Sequence, residues 1–285
     1  MSISVVIPVL NEEKRILKCL KALEANTRKP EEIILVDGGS QDQTVRLAKE
    51  MGAQVLHNEK GHAAAGRNIG IKAAAGRIIA FTDADCLPDP LWIQSIHQAF
   101  QNDELDGLGG FTDPAPAENE YEAFWGMLSL QIIMSFGEEA YVVREKSLNQ
   151  GFMTANCAYR KTLLHRLSGF DEWFANHAED IDLTWRALDA GALLKYMPTV
   201  RVRAHSPTSL EGIKEKSFRN GYASSKLKKR YGPFFHIDAF IYRSLLQHAF
   251  RAVGGEKTSR LFLVELLHFL KGKYYGSLMT GVINL

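Results

Sequence analysis

From Ser4 to Phe81 the chain alternates between strand-like and helix-like hydrophobic periods, and no other feature narrows its fold as much. The run SVVIPVL (Ser4 to Leu10) is short, β-branched and continuously apolar, as a strand covered on both faces must be. Asn11 follows as a suitable helix N-cap, with Glu12 and Glu13 in the first turn, and Ile16, Leu17, Leu20 and Leu23 recur at helical spacing. EIILVDGGSQDQT repeats the plan: a strand at Ile33 to Val36, a glycine turn, then a helix through Val45, Leu47 and Ala48 with Ser40 or Asp42 near its start. AQVLHN is a third strand, AAAGRNIGIKAAAG an alanine-rich helix closed by Gly76, and RIIAFTDAD a fourth strand. Strands alternating with helices through short connections specify an α/β fold, a mostly parallel sheet with helices on both faces. Ligands of such sheets gather outside the carboxyl ends of the strands, where Asp37, Asp83 and Asp85 stand.

After residue 90 the alternation loosens. LWIQSIHQAF reads as a helix, DGLGGFT as a strand, and Glu118 to Phe136 carries apolar residues at helical spacing. GFMTANCAYRK reads as a strand entering a helix, and a further helix is expected from about Asp180 to Ala190, followed by strands ending at TVRVRAH. Beyond Ser206 the pattern is helical and more basic, with KEKSFRNGYASSKLKKRYG and two amphipathic stretches after it. The expected organisation is therefore an α/β domain over residues 1–205 and a helical C-terminal extension over 206–285.

Composition excludes several classes. A formal net charge of +1 over 285 residues is not that of a polyanion-seeking protein, so no nucleic-acid partner is expected and any membrane attraction must be local. Cys19, Cys86 and Cys157 are far apart, with neither zinc-ligand nor disulfide-framework spacing, which fits a reducing cytoplasm. No basic n-region precedes the first strand, so no signal peptide is expected. No run approaches the roughly 20 uncharged apolar residues of a spanning helix. The basic, aromatic stretch from Lys214 to Tyr231 suits either a solvated helix or peripheral contact with the inner face of a membrane.

Three motifs carry chemistry. Asp83-Ala84-Asp85 places two like charges at the mouth of a buried strand, where each disfavours the other's ionised form. A hard divalent cation, Mg²⁺ or Mn²⁺, relieves that repulsion and can bridge diphosphate oxygens, while a plain turn is the competing reading. In VDGGSQD, Asp37 ends a strand before two glycines that allow close backbone approach. In HAEDIDL, Glu179, Asp180 and Asp182 crowd a helix start, either as helix-stabilising charges or with one of them as a general base. No GxGxxG or GxxxxGK[ST] pattern is present.

Together VVIPVLNEE, VDGGSQDQT, GRNIGIKAAAGRIIAFTDAD, GFMTANCAYRK with SGFDE, and AEDIDLTWR resemble, in order and spacing, the family 2 glycosyltransferases of GT-A fold, over about residues 3 to 205. The resemblance implies that Pro8, Asn11 and Glu13 line a nucleotide pocket and that Asp37 meets the base or ribose. It further implies Arg67 near the base or diphosphate, Asp83 in the DxD pair, Asp85 as direct metal ligand and His205 as a further metal or diphosphate ligand. Asp180 would be the catalytic base of an inverting transfer from a nucleotide-diphosphate sugar, UDP-sugar foremost, to an acceptor hydroxyl on a glycan or a lipid-linked carrier. VDGGS in place of the commoner VDDGS removes a carboxylate beside Asp37, and SGFDE stands where GGFDE is usual. Glu118 to Asn149 and the C-terminal helices are expected to choose the acceptor. Two other readings stay open: a haloacid-dehalogenase-like phosphatase, whose nucleophile motif also reads strand then Asp-x-Asp, and a non-catalytic sugar-nucleotide-binding module.

Overall fold

The computed structural model describes the chain apart from residues 103, 135, 147–151, 233–255 and 282–285. β1 (Ile3–Val9) pairs in parallel with β2 (Glu32–Asp37) on one side and with β4 (Ile78–Phe81) on the other, and β2 pairs in parallel with β3 (Gln54–His57). The crossovers are α1 (Ile16–Glu24), α2 (Thr44–Glu50) and α3 (Ala63–Ala73). The rest of the sheet is antiparallel where it continues from β4 into β8 (Cys157–Arg160), with β6 (Gly107–Pro114), β9 (Leu194–Ala204) and β5 (Cys86–Pro88) beyond and β7 (Tyr141–Val143) paired to β9. Nine described strands thus form one mixed sheet whose parallel part is the N-terminal alternation.

Side-chain alternation along the parallel strands divides the core in two. Ile3, Val5, Ile7 and Val9 of β1 and Ile78 and Ala80 of β4 pack with α1, α2 and α4 (Trp92–Ala99). Val6, Ile34, Val36, Ile79 and Phe81 face α3, α6 (Lys161–Arg166) and α7 (Glu179–Asp189) on the opposite side. A strand with helices on both faces has no polar side to show, which is why these runs are uniformly apolar.

The chain divides into two units, one of Met1–Asp113 with Phe136–Ala204 and one of Pro114–Ser135 with His205–Leu285. The second unit holds α5 (Glu120–Met134), α8 (Leu210–Tyr231) and α9 (Glu256–Thr280) around Phe124, Trp125, Leu128, Ile213 and Phe262. Ser209 caps α8 by accepting from the Gly212 N–H at 3.2 Å. α8 and α9 touch backbone to backbone: a Cβ at Gly272 would run into the Phe218 carbonyl, and one at Gly221 into the Phe269 carbonyl. No described helix is long and apolar enough to cross a membrane.

Local expectations fail in instructive places. Asn11 has φ of 53° and does not cap α1, which begins only at Ile16 after a turn closed by Glu12, so Glu12 and Glu13 lie outside the helix. GFMTANCAYRK is extended only from Cys157, Gly151 lying outside the described residues. Of the two amphipathic stretches expected after Tyr231, α9 is described and the segment before it falls within the undescribed 233–255.

Candidate active site

The carboxyl ends of β1, β2 and β4 form one edge, and the side chains of the loops leaving it tie those loops together. The Asn11 N–H donates to Ser40 Oγ at 2.8 Å, and Asn11 Oδ1 accepts from the Gln41 N–H at 2.8 Å. Glu13 Oε2 accepts from the Gln43 N–H at 3.0 Å, while its own N–H donates to Asp42 at 3.1 Å. Asp37, buried, accepts from the Gly39 and Ser40 N–H groups at 3.1 Å each, with Gly39 at a φ of 99° that favours glycine. Pro8 lies beneath Gly66 of α3, where an added Cβ would be 3.5 Å from the proline ring. Pro8, Asn11 and Asp37 therefore share one edge, whereas the Glu13 carboxylate is engaged by the β2–α2 loop.

Asp83 and Asp85 leave β4 in a turn, the Cys86 N–H donating to the Asp83 carbonyl at 3.0 Å, so strand alternation does not set their directions. Arg67 reaches this turn from α3. Buried to 3% exposure, it donates from Nη2 to Asp83 Oδ1 at 2.9 Å and from Nη1 to Glu179 Oε1 at 2.6 Å, and its guanidinium stands 5.6 Å from the Phe170 ring centre. Glu12, half-buried, is pushed up to about 7 by burial and then by the negative charge of Asp85, with Asp42 and Asp83 adding and Arg15 opposing.

The start of α7 sorts its three acidic side chains. Glu179 is paired to Arg67, and Asp182, fully buried, accepts from Arg186 Nε at 2.7 Å. Arg186 goes on to donate to the Leu167 and Gly169 carbonyls, both at 2.9 Å, which pins the SGF loop. Asp180 has no ion-pair partner among the described residues and accepts only from backbone, including its neighbour's N–H at Ile181 at 2.9 Å. Burial first and Glu179 second push its carboxyl up to about 7, against the pull of Arg67. A carboxyl poised near neutrality is suited to taking a proton from an alcohol.

Among the described residues no three His, Cys, Asp or Glu side chains converge on one point as a metal cluster. The hard oxygen donors of the Asp83–Asp85 turn nonetheless fit Mg²⁺ or Mn²⁺, which typically take one or two protein carboxylates and complete their shell with water and phosphate oxygens. His205 directly follows Ala204, the last residue of β9 and the register partner of Cys86, and begins the C-terminal segment of the second unit. Two participants escape a sequence reading. Glu12 carries no signal beyond its neighbourhood to Asn11, and Glu179 looks like any acidic first-turn residue until α3 delivers Arg67 to it.

An acidic turn at the carboxyl edge of a parallel sheet, an arginine buried against it and a carboxyl held near neutrality are the equipment of a group transferase acting on a charged donor. Comparison with known proteins specifies the kind. Residues 4–167 match the model of glycosyl transferase family 2. Glycosyltransferase AglE of Haloferax volcanii is 29% identical over 232 residues, 77% of this chain and 71% of that protein. The pre-mycofactocin glycosyltransferase of Mycobacterium tuberculosis is 30% identical over 246 residues, 78% of this chain but only 47% of that longer protein. In fold, S. aureus TarS 1-349 in complex with UDP superposes with a TM-score of 0.60 at 19% identity, covering 95% of this chain and 81% of that one. Glucosyl-3-phosphoglycerate synthase from Mycobacterium tuberculosis, in complex with Mn²⁺, UDP and glucosyl-3-phosphoglycerate, gives 0.58 at 21% identity, covering 81% and 80%. The chain belongs to glycosyl transferase family 2, and it is a glycosyltransferase with the GT-A type of α/β fold.

Proposed function

We propose that this enzyme moves a sugar from a nucleoside-diphosphate donor, UDP-sugar foremost, to an acceptor hydroxyl with inversion at the anomeric carbon. The observation that carries the reading is Asp180: alone of the three carboxylates at the start of α7 it has no ion-pair partner among the described residues, and it is held near neutrality. In this role it takes the acceptor's proton as the hydroxyl attacks. Arg67, fixed by Glu179 and Asp83, supplies positive charge for the departing diphosphate. Asp37, Pro8 and Asn11 form the nucleotide side of the site, and its first unit is assigned to catalysis and the helical unit to acceptor choice.

Asp85, with Asp83 beside it, would hold a Mg²⁺ or Mn²⁺ ion, which when bound offsets charge on the diphosphate oxygens. His205 is retained as an additional donor on the strength of the sequence resemblance. Solved structures of the same fold with UDP and Mn²⁺ support this donor and metal class. The acceptor is proposed to be a glycan or a lipid-linked hydroxyl.

The test is a thermal-shift and donor-hydrolysis panel of UDP-, GDP- and dTDP-sugars, each with Mn²⁺ or with EDTA. A Mn²⁺-dependent rise with one nucleotide class, and hydrolysis or transfer lost in Asp180→Asn, is the expected result. Binding indifferent to EDTA, or turnover unchanged in Asp180→Asn, would overturn it. Binding without turnover on any acceptor would favour the non-catalytic module instead.

A further inference from the structure

The outermost ridge of α9 is apolar. Leu263, Leu267, Leu270, Tyr274 and Leu278 follow one another at helical spacing with exposures of 55%, 53%, 48%, 68% and 63%. On an α-helix they fall within an arc of about 80°. The opposite face of α9, with Phe262, Phe269, Gly272 and Gly276, is buried in its own unit, so the ridge is not what holds the helix in place. A single exposed leucine needs no explanation, whereas a continuous ridge five side chains long does.

Charge identifies its occupant. α8 carries seven Lys and Arg against two Glu, and α9 four against two, a net +7 for the pair. The whole chain is only +1, so the remaining residues carry −6. Arg219, Lys229 and Arg230 of α8 are exposed, and so are Arg260 and Lys271 of α9, whose helical positions border the leucine ridge. A second copy docked ridge to ridge would bring like charge against like charge, whereas an anionic surface would be attracted.

We propose that α9 lies flat on an anionic lipid bilayer, its leucine ridge at the acyl boundary and the Arg260 and Lys271 cations that border it among the headgroups, with the basic α8 behind it adding longer-range attraction. It rests on the surface and does not span it, since Arg260, Glu265, Lys271 and Lys273 interrupt its apolar content. This docking is independent of the transfer chemistry, and its test reads no turnover.

The full chain is sedimented with vesicles of phosphatidylcholine alone and of phosphatidylcholine with phosphatidylglycerol, at low and high salt. Wild type is expected on the phosphatidylglycerol vesicles and much less on the neutral ones, with binding falling as salt rises. The triple variant Leu263→Ser, Leu267→Ser, Leu270→Ser should partition about tenfold more weakly or worse. Its circular dichroism should match wild type, and if it fails to fold, Arg260→Glu with Lys271→Glu tests the same face. Absence of binding at low salt, equal binding to neutral vesicles, or folded variants that bind like wild type would each overturn the proposal. So would light scattering that shows a wild-type dimer, dissolved by the leucine substitutions, without vesicle binding.

Discussion

Arg67 Nη1 and Glu179 Oε1 meet at 2.6 Å, joining the middle of α3 to the first residue of α7 across 112 positions of sequence. Both residues are almost fully buried, at 3% and 6% exposure, so neither charge is compensated by water. Removing one member of such a pair leaves the other desolvated and typically costs about 3–5 kcal/mol. Here Asp83 remains as a second partner of Arg67, which limits the loss. Glu179→Ala is accordingly expected to destabilise the first unit by about 2–3 kcal/mol, and Glu179→Gln, which keeps an acceptor, by about half of that. Urea denaturation of the two variants checks the order, and Glu179→Gln should lose transfer more than it loses stability if it is Arg67's position that matters.

The pH dependence of Asp180 follows from its raised pKa. In the proposed role of base it works ionised, so kcat/KM should fall with decreasing pH through about 7, following one proton. For stability the sign is opposite. Below the ordinary carboxylate range both folded and unfolded chains hold the proton; from there up to about 7 the unfolded chain has lost it and the folded one keeps it. Stability contributed at this residue is therefore complete at low pH, declines as pH rises through that window and stays lower above it. Asp180→Asn lacks this decline. It should abolish transfer by roughly a hundredfold or more while raising the thermal midpoint relative to wild type at pH 8 and not at pH 4.

Asp83 and Asp85 are expected to separate in a metal-free protein. Asp83 is paired with the buried Arg67, so Asp83→Asn weakens a half-buried ion pair and should lower the midpoint measured in EDTA. Asp85 adds negative charge that pushes the Glu12 carboxyl up, so Asp85→Asn eases that repulsion and should cost less in the same measurement than Asp83→Asn. Both variants should lose the Mn²⁺-dependent rise with nucleotide sugar. An equal loss of stability in the two would mean that the turn holds a different charge balance.

What the sequence disclosed and what it hid have physical reasons. The parallel strands were legible because cover on both faces forces uninterrupted apolar runs such as Val5-Val6-Ile7, and a helix pattern separates each from the next. Family membership was legible because several motifs stand in order. The antiparallel strands β5 and β7 are three residues each, too short to show a period. Asn11 misleads because a good cap in composition is here a left-handed linker whose side chain serves a neighbouring loop. At HAEDIDL the residue types alone left a structural and a catalytic reading level. Only the positions of Arg67 and Arg186, which engage Glu179 and Asp182, single out Asp180.

The helical unit depends on backbone contact between α8 and α9 as well as on packed side chains such as Phe218 and Tyr222 against Tyr275. Gly221 and Gly272 each face a carbonyl of the other helix, and Ser225 Oγ donates to the Lys273 carbonyl at 2.8 Å between them. A methyl at either glycine overlaps backbone, which cannot rotate aside as a flexible side chain could, so the helices must separate along their length. Alanine is normally the better helix former by about 0.8–1 kcal/mol, so a free helix would gain from the change. Gly272→Ala is therefore expected to lower the stability of this unit by about 1–3 kcal/mol despite its higher propensity. Gly232→Ala, at the end of α8 in open space but with φ of 87°, should cost less, through its backbone conformation alone. Hydrogen exchange of the α8 and α9 amides separates the cases: protection should drop along both helices in Gly272→Ala and only at the last turn of α8 in Gly232→Ala.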